Sequence, residues 1–277
     1  MVIRINFRKI FRRFLKVLGI LIILHFLFLV FLYIKQEKFF FNPKKLDKNY
    51  VFTFQEPFEE FNIEVEKNIY LNALLFKSKA SKGVILYFHG NAGAIHDWGK
   101  RAPLYLDNNY DILFVDYRGY GKSDGQYTED SELFNDAQKV YDFTKTLYPE
   151  NKITVFGFSL GTGLAAYVAS ENHPHRLILN APYYSWKSLI ADDIAPPLPK
   201  FMIRYDIPTY QFLKKVTCPI YIFQGSKDFL VNMETNAKKL LAENPNKVHL
   251  TVINDASHNS IHIAKQYYDA LKDTLKD

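Results

Sequence analysis

The pentapeptide Gly157-Phe158-Ser159-Leu160-Gly161 constrains the chain more than any other stretch, because of what flanks it. Ile153, Val155 and Phe156 read as a short buried strand, and residues 164–169 read as a helix rich in small residues. A strand that feeds a helix through so tight a turn needs flanks without bulk. Gly157 and Gly161 supply them, and Gly163 is expected to let the helix approach the sheet closely. In that setting Ser159 is either a surface hydroxyl at a strand end or a nucleophile held in a strained elbow. The pentapeptide alone does not separate the two.

The order of elements around it says more. Residues 62–66 and 69–77 suggest an antiparallel hairpin. After it, strands at 83–90, 111–121, 152–157, 175–182, 218–225 and 247–254 alternate with helices near 97–106, 131–147, 234–242 and the C-terminus. Such alternation implies an α/β fold with a mainly parallel, doubly covered sheet. In such sheets sites form at the carboxyl ends of the strands, so chemistry should fall just after them. Ser159, Asp228 and His258 each stand at such a place, in the chain order Ser, Asp, His. Each has a plainer reading: Asp228 as a turn cap, His258 as one loop histidine among eight. Three coincidences at three strand ends are a poorer account than one catalytic set.

Rivals are weaker. Asp116 reads as a loop organiser and His89 as a residue that shapes the loop after the 83–90 strand. His258 and His262 are four apart, but Asn259 stands where a zinc-binding His-Glu-x-x-His needs its glutamate, so no metal site is expected. An oxyanion hole needs backbone N–H groups: Leu160 should give one, and the loop His89-Gly90-Asn91-Ala92-Gly93 the other, through Asn91 with Ala92 as the alternative. No cofactor is needed for such chemistry.

The chain has 277 residues, 48% of them hydrophobic, enough for one sizeable core. Its formal charge of +6 is dispersed and accompanies no nucleic-acid motif, so a solvated basic surface is the better reading. The single cysteine, Cys218, excludes an intrachain disulfide and reads as a core filler.

Residues 17–34 form an apolar run broken only by Gly19 and His25. As a helix it would be about 27 Å long, against a bilayer core of about 30 Å. Residues 33–36 (Tyr-Ile-Lys-Gln) offer no small-residue cleavage site, so an uncleaved signal-anchor is expected rather than a removed signal peptide. His25 reads as a neutral imidazole facing lipid or a partner helix. The segments are then a basic 1–16, a transmembrane anchor 17–34, a juxtamembrane connector 35–60 and a catalytic domain 61–277. Arg4, Arg8, Lys9, Arg12, Arg13 and Lys16 precede the run; Lys35, Lys38, Lys44, Lys45 and Lys48 follow it. That slight excess favours a cytoplasmic N-terminus and an extracytoplasmic domain.

The stretches YFHGNAG, DYRGYGKSDG, GFSLGTGLA, GSKDFLV and ASHN, in that order over about residues 84–259, resemble the α/β-hydrolase superfamily. More narrowly, they resemble its small membrane-anchored serine hydrolases, the group that includes protein depalmitoylases. The resemblance implies the α/β-hydrolase fold, a charge-relay triad of Ser159, Asp228 and His258, and a cap at about 183–213. Within that cap Tyr183, Tyr184, Trp186, Phe201, Met202 and Phe212 either line an apolar acyl pocket or pack the cap onto the core. The expected reaction is hydrolysis of an acyl ester or thioester of a small-molecule, lipid or lipid-modified substrate. A peptidase or amidase on the same triad is the enzyme alternative, with Asp192 and Asp193 as possible grips for a free amine. A tethered binding domain without turnover is the non-enzyme alternative.

Overall fold

Apolar runs too short for helices become the strands of one sheet in the computed structural model, which describes residues 7–194 and 199–276. Arg4 and residues 195–198 of the expected cap lie outside the described residues. The strands are β1 (Phe58–Glu66), β2 (Ile69–Phe76), β3 (Val84–Phe88), β4 (Asp111–Val115), β5 (Ile153–Phe158), β6 (Arg176–Asn180), β7 (Ile220–Gly225) and β8 (Val248–Ile253). They lie in the order β1-β2-β4-β3-β5-β6-β7-β8. β2 pairs antiparallel with both neighbours, and every other pairing is parallel. β3 to β6 are buried along their whole length, as a sheet covered on both faces requires.

Helices α2 (Asp130–Leu147), α3 (Leu160–Glu171), α4 (Thr209–Lys215) and α5 (Ala237–Glu243) cover one face, burying Leu133, Leu164, Leu213 and Leu240 in a shared core. α6 (Lys265–Thr274) covers the other face through Tyr267 and Leu271. Beside it lies an interrupted helix, Ile95–Trp98, Gly99–Arg101 and Ala102–Leu106, where one continuous helix is expected from sequence. α2 opens on a reciprocal capping box between Glu129 and Glu132. α5 starts later than expected, because the Asn232 side chain accepts the Glu234 N–H at 2.8 Å and holds the preceding residues in a turn. Cys218 is buried in the core, as expected.

Two boundaries differ from expectation. The N-terminal helix α1 runs from Phe7 to Phe40, through the apolar run and past it. It is long and apolar enough to cross a membrane, and no residue of its most apolar 18-residue stretch is buried; His25 is exposed there. The 35–60 segment is not a loose tether. It begins as the last turns of α1, pairs Asn42–Pro43 with Ala92–Gly93 in a short parallel ladder, and packs Phe54 and Phe58 against Phe76 with Phe52 edge-on to Phe58. Aromatic side chains without period read as a connector, yet here they build a core edge. The expected cap is likewise shorter at its end: from Thr209 the chain is already α4, packed against α3.

Candidate active site

Phe158 ends β5 and Leu160 begins α3, so a single residue turns the chain from strand to helix. Ser159 does so at φ 49° and ψ −116°, a region that residues with side chains rarely enter. The elbow closes only because its flanks lack a Cβ. One at Gly157 would lie 2.5 Å from the Gly161 carbonyl oxygen, and one at Gly161 would overlap the Phe88 carbonyl of β3. Gly161 is therefore where helix meets sheet. The expectation for Gly163 is corrected: a Cβ there would strike Tyr183 and Ile207, so its smallness accommodates the segment after β6 rather than the sheet.

Ser159, Asp228 and His258 follow β5, β7 and β8, and the sheet brings their side chains into one line. Ser159 Oγ is 3.0 Å from His258 Nε2, and His258 Nδ1 is 2.8 Å from Asp228 Oδ2. A carboxylate can only accept, so Nδ1 carries a proton and Nε2 is left free to accept the serine proton. All three residues are buried. Asp228 is held on both oxygens: Oδ1 accepts the N–H groups of Leu230 and Val231 at 3.0 and 2.8 Å, and Oδ2 accepts Gln224 Nε2 at 3.0 Å. Gln224 is a positioning residue that the sequence reading missed. It lies one residue before the end of a buried strand, where a polar side chain among apolar neighbours was the available signal.

Leu160 is the first residue of α3, so its N–H is one that a helix leaves without an internal partner. Asn91 lines the same cavity as Ser159. The peptide joining Gly90 to Asn91 is fixed at its other end, where His89 Nδ1 donates to the Gly90 carbonyl at 2.7 Å. His89 in turn has Nε2 3.3 Å from Asp116 Oδ1, and that oxygen also accepts the Ile95 N–H at 2.9 Å. Burial pushes the Asp116 carboxyl up, and the His89 contact pulls it back. His89 and Asp116 thus hold the loop that carries Asn91, the shaping roles expected of them. His262 does not join His258: its Nε2 is 3.3 Å from Arg101, and burial and that cation push it down to about 4. Among the described residues no cluster of metal-ligating side chains occurs.

A cavity of about 370 Å³ opens on Ser159. The cap residues divide between the two alternatives left open by sequence. Of the five cap aromatics and Met202 that were candidates for its wall, Trp186 alone lines it, joined by Leu189, Ile190 and Ile194. Tyr183 is buried with its hydroxyl on the Leu160 carbonyl, Tyr184 stacks on Tyr210, and Phe212 packs on Phe134 and Tyr167. Met202 packs against the core, and Phe201 is exposed. The loop after β7 adds Leu230 and Val231, and α1 adds Leu32, Gln36 and Phe40. Nothing in the sequence separated those α1 residues from the rest of an apolar run and its flank. Asp192 and Asp193 are outside the cavity and exposed, Asp192 paired with Lys200 at 2.7 Å.

Residues 79–212 match the family described as serine aminopeptidase, S33. The chain is 27% identical over 268 residues to an uncharacterized protein, R595, of Acanthamoeba polyphaga mimivirus, covering 88% of each. It is 29% identical over 203 residues to alpha/beta hydrolase domain-containing protein 17B of Homo sapiens, covering 70% of this chain and 67% of that protein. Among solved structures, the Pyrococcus furiosus esterase Pf2001 superposes with a TM-score of 0.68 at 23% identity, covering 85% of this chain and 96% of that one. Sheet order, elbow and sequence relatives agree, and together they support an α/β-hydrolase superfamily member.

Proposed function

We propose that the protein is a membrane-anchored serine hydrolase that cleaves acyl esters or thioesters through an acyl-enzyme. The observation that carries this reading is the unbroken relay Ser159–His258–Asp228 at the floor of an apolar cavity. In the reaction, His258 Nε2 takes the Ser159 proton as Oγ bonds to the acyl carbon. Asp228 holds the Nδ1–H tautomer and stabilises the imidazolium. The Leu160 and Asn91 N–H groups receive the developing oxyanion. When the intermediate collapses, the bond to the alcohol or thiol breaks and His258 returns the proton to it. Water, deprotonated by the same ring, then releases the acid and restores Ser159. α1 anchors the enzyme, with the N-terminus cytoplasmic.

The S33 description and the shared triad keep an aminopeptidase or amidase as the second reading. An aminopeptidase needs a carboxylate to grip a free amine. Asp192 and Asp193 stand outside the cavity, which favours the ester reading. A labelled fluorophosphonate should modify Ser159 in the wild type and not in Ser159→Ala. No modification would leave the protein a binding domain. Higher kcat/KM on aminoacyl-amides than on acyl esters would make it a peptidase.

A further inference from the structure

Helix α1 does more than reach the domain. Leu32, Gln36 and Phe40 are spaced four apart, which places them on one helix face over about 12 Å of axis. That face is a wall of the cavity over Ser159. It is pinned there by a buried amide: Gln36 Oε1 accepts the Arg204 N–H at 2.8 Å, and Gln36 Nε2 donates to the Met202 carbonyl at 3.2 Å. Arg204 also pairs with Glu37, and Phe40 meets Trp186 edge-on at 6.1 Å. Burial falls along the stripe, from Phe40 and Gln36 to half-buried Leu32, and beyond Leu29 the helix is bare and apolar. Apart from Gln36, Asn91 and Ser159 the cavity lining is apolar, and its Leu32 end adjoins the stretch of α1 that protein leaves uncovered.

We propose that α1 is the specificity wall of the acyl pocket and that its Leu32 end sets the length of acyl chain the site accepts. This rests on the esterase reading above. With the carbonyl at Ser159, the acyl chain follows Phe40, Gln36 and Leu32 along the helix. Leu32 sets how far it extends, and Gln36 is a positioning residue that keeps the helix against the cavity.

The test uses the full-length protein in lipid vesicles, with p-nitrophenyl palmitate and p-nitrophenyl butyrate. Leu32→Trp should narrow the far end and lower the palmitate-to-butyrate ratio of kcat/KM by about tenfold or more. Ile34→Trp, at an exposed α1 position outside the cavity, should leave the ratio at its wild-type value. Because the readout is a ratio within one variant, partial misfolding cannot imitate it. Rates of Ser159 labelling by long-alkyl and short-alkyl fluorophosphonates should shift in the same direction. Turnover with an unchanged ratio in Leu32→Trp overturns the wall and leaves the esterase reading standing. No hydrolysis of either ester, with no labelling of Ser159, removes both.

Discussion

At Ser159 the backbone is strained and the side chain is small, so chemistry and fold can be separated by single substitutions. Ser159→Ala removes a hydroxyl from an elbow that alanine can also occupy. Ester turnover should fall about a thousandfold or more while the melting temperature changes little. Asp228→Asn should be comparably severe, since the amide no longer fixes the His258 tautomer, and joining it to Ser159→Ala should add little. Wild-type turnover in Asp228→Asn would remove Asp228 from the relay. Gly161→Ala should act the opposite way, on folding first. Its methyl would meet the Phe88 backbone, which cannot step aside like a side chain, so a loss of about 2 kcal/mol or more is expected in denaturant titration. That Ser159, Asp228 and His258 would meet was legible in sequence because each follows a strand that is apolar enough to recognise. Gln224 was not, because what it does depends on where the Asp228 carboxylate lies after the turn.

Single contacts between elements decide whether loops near the site hold their shape. Arg118, in the loop after β4, makes a bidentate pair with Asp136 of α2: Nε–Oδ2 2.7 Å and Nη2–Oδ1 2.9 Å. Both side chains are almost fully enclosed, so Arg118→Ala strands a buried carboxylate and should cost about 3–5 kcal/mol by urea titration. Arg118→Ala with Asp136→Ala should recover part of that loss; no recovery would mean that packing dominates. His262, between the interrupted helix and the start of α6, predicts a pH effect. Its folded value of about 4 lies below the ordinary 6.5. At pH above 6.5 the ring is neutral folded and unfolded, and the site is neutral to stability. Between about 6.5 and 4 the unfolded chain takes up the proton first, so stability is lost as pH falls through that window. His262→Asn should flatten this part of a melting-temperature profile; an unaltered slope would show that other groups control it. Element types were read well from apolar runs. Their ends were not: Thr209 answers to the packing of α3 against α4, and Asn232 holds a local side-chain turn before α5.

Across the whole molecule, the helix proposed as the anchor also walls the cavity over Ser159, and this changes what truncation should do. Sequence divides the chain at 35, as if the anchor could be cut from a finished domain. In the structure that cut removes Leu32 from the cavity wall yet spares Gln36, whose bonds to Met202 and Arg204 close the side of the domain. The division was invisible beforehand because an apolar run looks the same whether lipid or protein covers its last turns. We therefore expect three outcomes from deleting residues 1–35. The shortened chain should leave the membrane fraction, whereas the full-length chain should survive an alkaline carbonate wash. Ser159 should still react with a short-alkyl fluorophosphonate, since the elbow, the relay and Asn91 are all left in place. Preference for palmitoyl over butyryl esters should collapse, because the far end of the chain now faces water. The proposed orientation rests on a slight basic excess ahead of the run, where Arg8, Lys9, Arg12, Arg13 and Lys16 lie on α1 with no acid among them. A protease added outside sealed cells should then digest the catalytic domain and leave the membrane segment. Protection of the domain would put it on the cytoplasmic side. A truncated chain that kept its palmitoyl preference would make α1 an anchor and nothing more.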